Sequence, residues 1–267
     1  MTTFRGAHVL ITGGARGIGR LMALAARARG SRLTILDRDQ SAGREILAEL
    51  GGDAAFFAVD LNDRVATRAV CAQVLELRGT VDILINNAGI VAGKPFLEGS
   101  DEELERTFRV NALALFWVTR AFLPAMIAQG RGHVVTIASA AGLAGTSRLV
   151  DYCASKFAAV GFDEALRLEL RRLGCSVRTT VVCPFFIDTG MFHGVKTRFP
   201  RLLPILRPEY VAGRIVGAVA RNRSRLIVPR FVLTVLIVRS LPVWAFDWIL
   251  GFFGINRSMD EFTGHGP

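Results

Sequence analysis

The sequence predicts an α/β architecture: a doubly wound parallel sheet of about seven strands, with helices on both faces and an apolar C-terminal extension. Over the first 185 residues, short apolar runs alternate with longer segments of helical period. The runs lack in/out alternation, as expected of parallel strands covered on both faces. A glycine-rich turn follows the first run directly and leads into a helix.

The strands are expected at 8–12, 32–36, 54–59, 81–86, 133–139 and 176–183, each bounded by glycine or acidic residues. Helices are expected between them at 17–29, 39–50, 63–78, 101–129 and 150–173. The fourth starts at Ser100 with acids in its first turn, where they complement the helix dipole. Alternation on this scale implies right-handed crossovers. After Pro184 the rhythm changes. Pro208 opens a helix to about residue 222, and 225–229 forms a last strand. From Phe231 to Ile255 the chain is strongly apolar, broken by Arg239, Ser240, Pro242 and Asp247.

A chain of 267 residues, 51% hydrophobic and 21% charged, buries roughly three quarters of its unfolded surface. It needs no disulfide or metal staple, and disordered, collagen-like and coiled-coil readings are excluded. We expect one domain over 1–267. Residues 6–189 form the dinucleotide-binding and catalytic core, 190–224 a substrate lid region and 231–267 the apolar extension. Cys71, Cys153, Cys175 and Cys183 show no C-x-x-C spacing, and His8, His133, His193 and His265 never fall at i, i+4. No zinc site is expected, and unpaired thiols suit a reducing cytoplasm. The opening MTTFRGAHVLIT lacks the pattern of a cleaved signal peptide.

In Thr12-Gly-Gly-Ala-Arg-Gly-Ile-Gly19, Gly13 permits a tight turn, Gly17 lets the backbone approach a pyrophosphate and Gly19 allows close helix–strand packing. The helix start then offers free N–H groups and a positive dipole end. The spacing is G-x-x-x-G-x-G rather than G-x-G-x-x-G, and by itself it is also compatible with a ligand-free turn. Asp37 closes the second strand, where an acid accepts hydrogen bonds from the adenosine ribose and repels a 2′-phosphate. That favours NAD over NADP, although Arg38 and Arg16 partly offset the repulsion. A solvated strand-end acid is the alternative for Asp37. Asp60 ends the third strand in the same plane, where it either meets the adenine amino group or caps a helix.

Tyr152 and Lys156 lie four apart and share one helix face, and Ser139 closes the strand before that helix. A tyrosine with a reference pKa of about 10 is a poor base at neutral pH. A neighbouring ammonium favours the phenolate, so we expect Lys156 to lower the Tyr152 pKa. Ser139 then hydrogen-bonds the substrate oxygen while Tyr152 exchanges its proton. A bare Y-x-x-x-K also occurs on ordinary amphipathic helices, but this chain has only two tyrosines and three lysines.

Taken together, T-G-x-x-x-G-x-G, Asn86-Asn87-Ala88-Gly89, Asn111, Ser139 and Tyr152-x-x-x-Lys156 resemble the short-chain dehydrogenase/reductase family, over about residues 6–230. The resemblance implies a Rossmann-type fold, a nicotinamide cofactor and direct hydride transfer. It makes Tyr152 the catalytic acid/base and gives Lys156 the nicotinamide ribose. Ser139 orients the carbinol or carbonyl, and Asn111 holds a water linking Lys156 to solvent. Asn87 packs near the adenosine, and Ile187 with Thr189 holds the carboxamide. Ile18, Leu61, Ala88, Gly89 and Pro184 complete the expected cofactor set. Where the family usually has Pro-Gly after the sixth strand, this chain has Pro184-Phe185, so a ring reshapes the nicotinamide-side wall.

The segments 151–162 (DYCASKFAAVGF) and 183–192 (CPFFIDTGMF) further resemble the retinol, fatty-alcohol and 17β-hydroxysteroid dehydrogenase branch. This implies a lipophilic alcohol or its carbonyl as substrate and a homodimer or homotetramer. The alternatives are an NADPH-dependent carbonyl reductase and a non-catalytic dinucleotide sensor. Membrane-bound relatives often begin with a hydrophobic anchor, which is not expected here.

The formal charge of +10 is concentrated: residues 190–239 hold ten Lys/Arg and one acid, Glu209. Beside apolar residues and without a recognition motif, such a patch fits an anionic surface and not a nucleic acid. Phe192, Phe199, Leu202 and Leu203 add apolar surface there, as do Trp244 and Trp248 in the tail. We therefore expect a cytoplasmic protein with peripheral membrane contact through 190–255, the alternative being that the extension only covers the pocket or packs on a sister subunit. A spanning helix is disfavoured by the polar breaks in the tail.

Overall fold

In the computed structural model, which describes residues 1–264, the strands are β1 (His8–Thr12), β2 (Arg32–Asp37), β3 (Ala54–Ala58), β4 (Ile83–Asn86), β5 (His133–Ile137), β6 (Arg178–Pro184) and β7 (Arg225–Val228). His265 and the end of the extension lie outside the described residues. All seven strands pair in parallel in the order β3-β2-β1-β4-β5-β6-β7. The order reverses between β1 and β4, which opens a crevice beyond their C-terminal ends.

Both faces of the sheet are buried, which explains the continuous apolar runs. Val9 and Ile11 of β1 pack under α1 (Gly17–Arg27), α2 (Gln40–Leu50) and α7 (Pro208–Ala220). Leu10, between them, faces the other layer with α3 (Arg64–Arg78), α5 (Ala114–Ala128) and the end of α6 (Val150–Arg172). Burying a side chain such as Leu10 contributes about 2 kcal/mol.

Three of the α-helices start on a side-chain cap. Asp39 accepts from Ala42 N at α2, Asp63 from Val65 N and Ala66 N at α3, and Ser100 with Glu103 forms a reciprocal capping box at α4 (Asp101–Phe108). The cap after β3 is thus Asp63, not Asp60. At α1, Arg16 occupies the cap position with no side-chain hydrogen bond to the helix.

The helix expected at 101–129 is interrupted. A π-helical turn, Arg109–Leu113, separates α4 from α5. It is held from inside: Asn111 Oδ1 accepts from Ile90 N at 2.8 Å, and Nδ2 donates to Ile90 O at 2.9 Å and Ser155 Oγ at 3.1 Å. Strand ends also differ from the expected bounds. β5 stops at Ile137, because Ser139 turns away to cap a 3-10 turn, Ala140–Gly142. β4 begins at Ile83, and β6 runs from Arg178 to Pro184. Asp101–Ala128 is long and apolar enough to cross a membrane, but half of its most apolar window is buried inside the protein.

The tail folds into a 3-10 turn, Arg230–Thr234, then α8 (Val235–Val238) and α9 (Val243–Phe252). Pro242 precedes α9 and breaks the apolar run. Val232 and Leu250 point inward, whereas Ile237, Val243, Trp244 and Trp248 are 75%, 76%, 75% and 68% exposed.

Candidate active site

Beyond the C-terminal ends of β1 and β4 lies a cleft of about 510 Å³. Its floor is the glycine turn, where Gly13 (φ +61°) and Gly17 (φ +53°) adopt the left-handed conformation that favours glycine. A Cβ on Gly19 would stand 2.1 Å from Gly13 O, so only glycine lets the turn close on α1. The turn is fastened from β4: Thr12 Oγ1 accepts from Asn87 N and Ala88 N, and Asn87 Nδ2 donates to Thr12 O and Gly13 O. With no side chain capping α1, its first N–H groups remain available to an anionic ligand. This cradle fits the pyrophosphate of a dinucleotide.

Gly13, Arg16, Gly17, Ile18, Gly19, Asp37, Arg38, Asp60, Leu61, Asn87, Ala88, Gly89, Ser139, Tyr152, Lys156, Pro184, Ile187 and Thr189 all line this cleft. Asp37 accepts from Ala15 N at 3.1 Å and from Asp39 N at 3.2 Å, which holds its carboxylate at the rim. Arg16 is engaged by Asp39, with Nε donating at 2.8 Å. Asp60 Oδ1 accepts from Asn62 N in a local turn. Thr189 faces Gly17 across the cleft, 3.7 Å from where a Cβ would be. Sequence reasoning missed Val59, Ile90, Val110, Met191 and Phe192. These are apolar residues from several elements that only the fold gathers.

Tyr152 and Lys156 share the buried face of α6 at 5% and 4% exposure. Lys156 Nζ donates to Ile137 O at 3.0 Å and lies 5.6 Å from the Tyr152 ring centroid. Gly89 is the meeting point behind them, since a Cβ there would stand 3.4 Å from both Asn111 Oδ1 and Lys156 Nζ. Asn111 does not line the cleft; it braces Ile90 and Ser155 instead. Ser139 Oγ accepts from Ala141 N at 3.1 Å and donates to Pro184 O at 3.5 Å.

One electrostatic expectation is corrected. Burial dominates at Tyr152 and pushes its pKa above the usual value, with the Ser139 hydroxyl opposing by hydrogen bonding. Burial likewise lowers Lys156 to about 8. The spacing puts the two groups on one buried face, but desolvation is the largest influence on both, because both heads are taken from water.

A second, apolar chamber of about 100 Å³ adjoins the cleft. Ser139, Tyr152, Phe185 and Phe192 line both spaces. Phe185, Phe186, Phe192 and Tyr152 form a chain of edge-to-face contacts with successive centroids 4.7, 5.2 and 5.7 Å apart. Phe185, where the family usually has glycine, therefore forms part of the wall between the two spaces.

The model of the short chain dehydrogenases matches residues 7–198. The chain belongs to the short-chain dehydrogenase/reductase family. It is an NAD(P)-dependent alcohol dehydrogenase/reductase, of the retinol and steroid branch. It is 44% identical over 265 residues to mouse epidermal retinol dehydrogenase 2, covering 97% of this chain and 86% of that protein. It is 43% identical over 265 residues to rat estradiol 17-beta-dehydrogenase 11, covering 97% and 87%. Among solved structures, a short-chain dehydrogenase/reductase from Burkholderia phymatum in complex with NAD superimposes with a TM-score of 0.81 at 28% identity, covering 90% of this chain and 95% of that one. In this dehydrogenase, Cys153, beside Tyr152, is a buried spacer whose thiol burial pushes up, away from the reactive thiolate.

Proposed function

We propose that this enzyme interconverts a lipophilic alcohol and its carbonyl, with NAD as the preferred cofactor. The observation that carries this reading is the position of Tyr152 and Ser139 at the boundary between the dinucleotide cleft and an apolar chamber. When bound, the nicotinamide accepts or donates the hydride at the carbinol carbon. Tyr152 gives its proton to the substrate oxygen in reduction or takes it in oxidation, and Ser139 donates a hydrogen bond to that oxygen. Burial keeps Tyr152 protonated near neutral pH, which suits the donor role. Lys156, as an ammonium, holds the nicotinamide ribose, while Asn111 keeps the π-turn and Ile90 in place behind it.

Asp37 supports NAD over NADP: its carboxylate stands at the rim, and Arg16, one of the two offsetting arginines, is paired with Asp39. The relatives named for retinol and estradiol support a retinoid, steroid or long-chain alcohol. Residues 190–224 form the lid region and the tail from 231 the roof of the chamber, all within one domain. The exposed apolar Leu113, Phe116 and Leu168 of the helical layer support assembly into a homodimer or tetramer. The exposed tryptophans and the basic run support peripheral contact with a membrane from the cytoplasmic side. Replacing Tyr152 with Phe is expected to abolish turnover yet keep dinucleotide affinity within about twofold; retained turnover with retinoid, steroid and long-chain substrates would refute the mechanism.

A further inference from the structure

The tail presents two faces with different work. Val232, Val235, Val238, Leu250 and Phe253 line the chamber from above, whereas Ile237, Val243, Trp244 and Trp248 stand out in solvent. The chamber beneath holds about 100 Å³. A cavity of about 150 Å³ is what a benzene-sized molecule fills, so the chamber as it stands is too small for a long-chain or polycyclic alcohol, and lifting the roof enlarges it.

Two arginines hold the roof down. Arg239, at the end of α8, donates from Nη1 to Leu143 O at 2.7 Å and lies 4.9 Å over the Phe157 ring of α6. Arg198, in the lid region, donates from Nη1 to Phe252 O at the end of α9, at 2.9 Å. It also covers the rings of Phe199 and Phe252 at 5.4 and 5.5 Å. Among the described residues, neither arginine forms an ion pair with a carboxylate. Each latch is a permanent cation satisfied by a neutral carbonyl and a ring face, in a site open to solvent. An ionised phosphate or carboxylate oxygen is the stronger partner for a guanidinium, and it binds through the same planar fork. The stretch of chain that carries the latches favours one occupant. Residues 190–239 hold ten Lys/Arg against one acid, and of these Lys196 pairs with Glu261 and Arg225 with Glu164. This basic excess, with the exposed tryptophans of α9, matches an anionic lipid surface.

We propose that the α8–α9 roof is a lid opened by anionic lipid. Headgroup oxygens draw Arg198 and Arg239 from the carbonyls of Phe252 and Leu143. The roof lifts with its tryptophans in the interface, and the alcohol enters the chamber from the lipid side. A ligand shifts such an equilibrium only by its differential affinity for the two states, and here the difference is headgroup oxygen against neutral carbonyl. The proposal rests on reading the chamber as the site of a lipophilic alcohol.

The test combines binding and turnover on the full chain. Binding of a fluorescent long-chain alcohol is measured without vesicles in the wild type, in the double variant Arg198→Gln/Arg239→Gln, and in a charge-matched control, Arg44→Gln/Arg68→Gln. Turnover of a long-chain alcohol is then compared on phosphatidylcholine vesicles with and without phosphatidylserine. Removing the latches is expected to tighten alcohol binding about fivefold, by raising the competent fraction, and to make turnover indifferent to phosphatidylserine. The wild type and the control should require the anionic lipid. Unchanged binding in a latch variant with native melting and dinucleotide affinity would overturn the lid, as would wild-type turnover that ignores phosphatidylserine. If the double Gln variant does not fold, Arg198→Lys/Arg239→Lys, which keeps the charge and loses the fork, is measured for the same tightening. Tighter binding with no turnover of any alcohol would leave the lid standing and remove the dehydrogenase reading instead.

Discussion

Asp163, one turn beyond Val160 on α6, is 1% exposed, and its Oδ1 has no hydrogen-bond partner. Thr179 Oγ1 donates to Oδ2 over a long 3.4 Å. Burial raises its pKa from 3.8 to about 7. Arg167 and Arg225 pull it down, and Glu164 pushes it further up; Cys183 is also close enough to feel its charge. Between these pH values the unfolded chain has lost a proton that the folded chain keeps. Stability therefore falls as pH rises from about 4 to about 7 and is level above. At about 1.36 kcal/mol per decade the gap is worth roughly 4 kcal/mol. Asp163→Asn removes the titration and keeps the shape, although its amide needs partners of its own. We expect it to gain about 2 kcal/mol over the wild type at pH 8 and almost nothing at pH 4. Urea unfolding of both proteins at the two pH values measures this directly. An equal gain at both pH values, or a loss at pH 8, would show that folding does not raise the Asp163 pKa and would refute the argument.

Two further outcomes follow from the cleft. Asp37→Asn keeps an acceptor for Ala15 N and Asp39 N but removes the charge; kcat/KM measured with each cofactor should move toward NADP by about tenfold, or about 1.4 kcal/mol. Lys156→Met replaces a buried ammonium whose pKa is held at about 8, so the wild type carries the cost of that charge in full below pH 8 and loses it as pH rises to 10.5. The variant should therefore be more stable by roughly 2 kcal/mol at pH 7, with the gain vanishing near pH 10.5 in chemical unfolding, while turnover is lost.

Much of the sheet was legible because parallel strands covered on both faces leave unbroken apolar runs between glycines and acids. The shared face of Tyr152 and Lys156 was legible for a similar reason, since helical period alone fixes it. The π-turn was not, because Asn111 is held by Ile90 and Ser155, partners 21 and 44 residues away in sequence. Nor was the sign of the Tyr152 shift, because spacing reports neighbours while burial depends on every element packed around them. The tail illustrates the same limit. Its apolar composition was plain, but only the chamber beneath it separates Leu250, which faces in, from Trp248, which faces out.

The stitching of the glycine turn to β4 bears on how tightly a nucleotide can be held. Asn87 and Thr12 spend their hydrogen bonds on fixing the loop's shape from a strand that is itself buried. A phosphate arriving there meets donors already in position, so association loses little loop entropy. Cutting that stitch would leave every phosphate-facing atom in the sequence and still weaken the grip, because the loop would have to be ordered anew with each catalytic cycle.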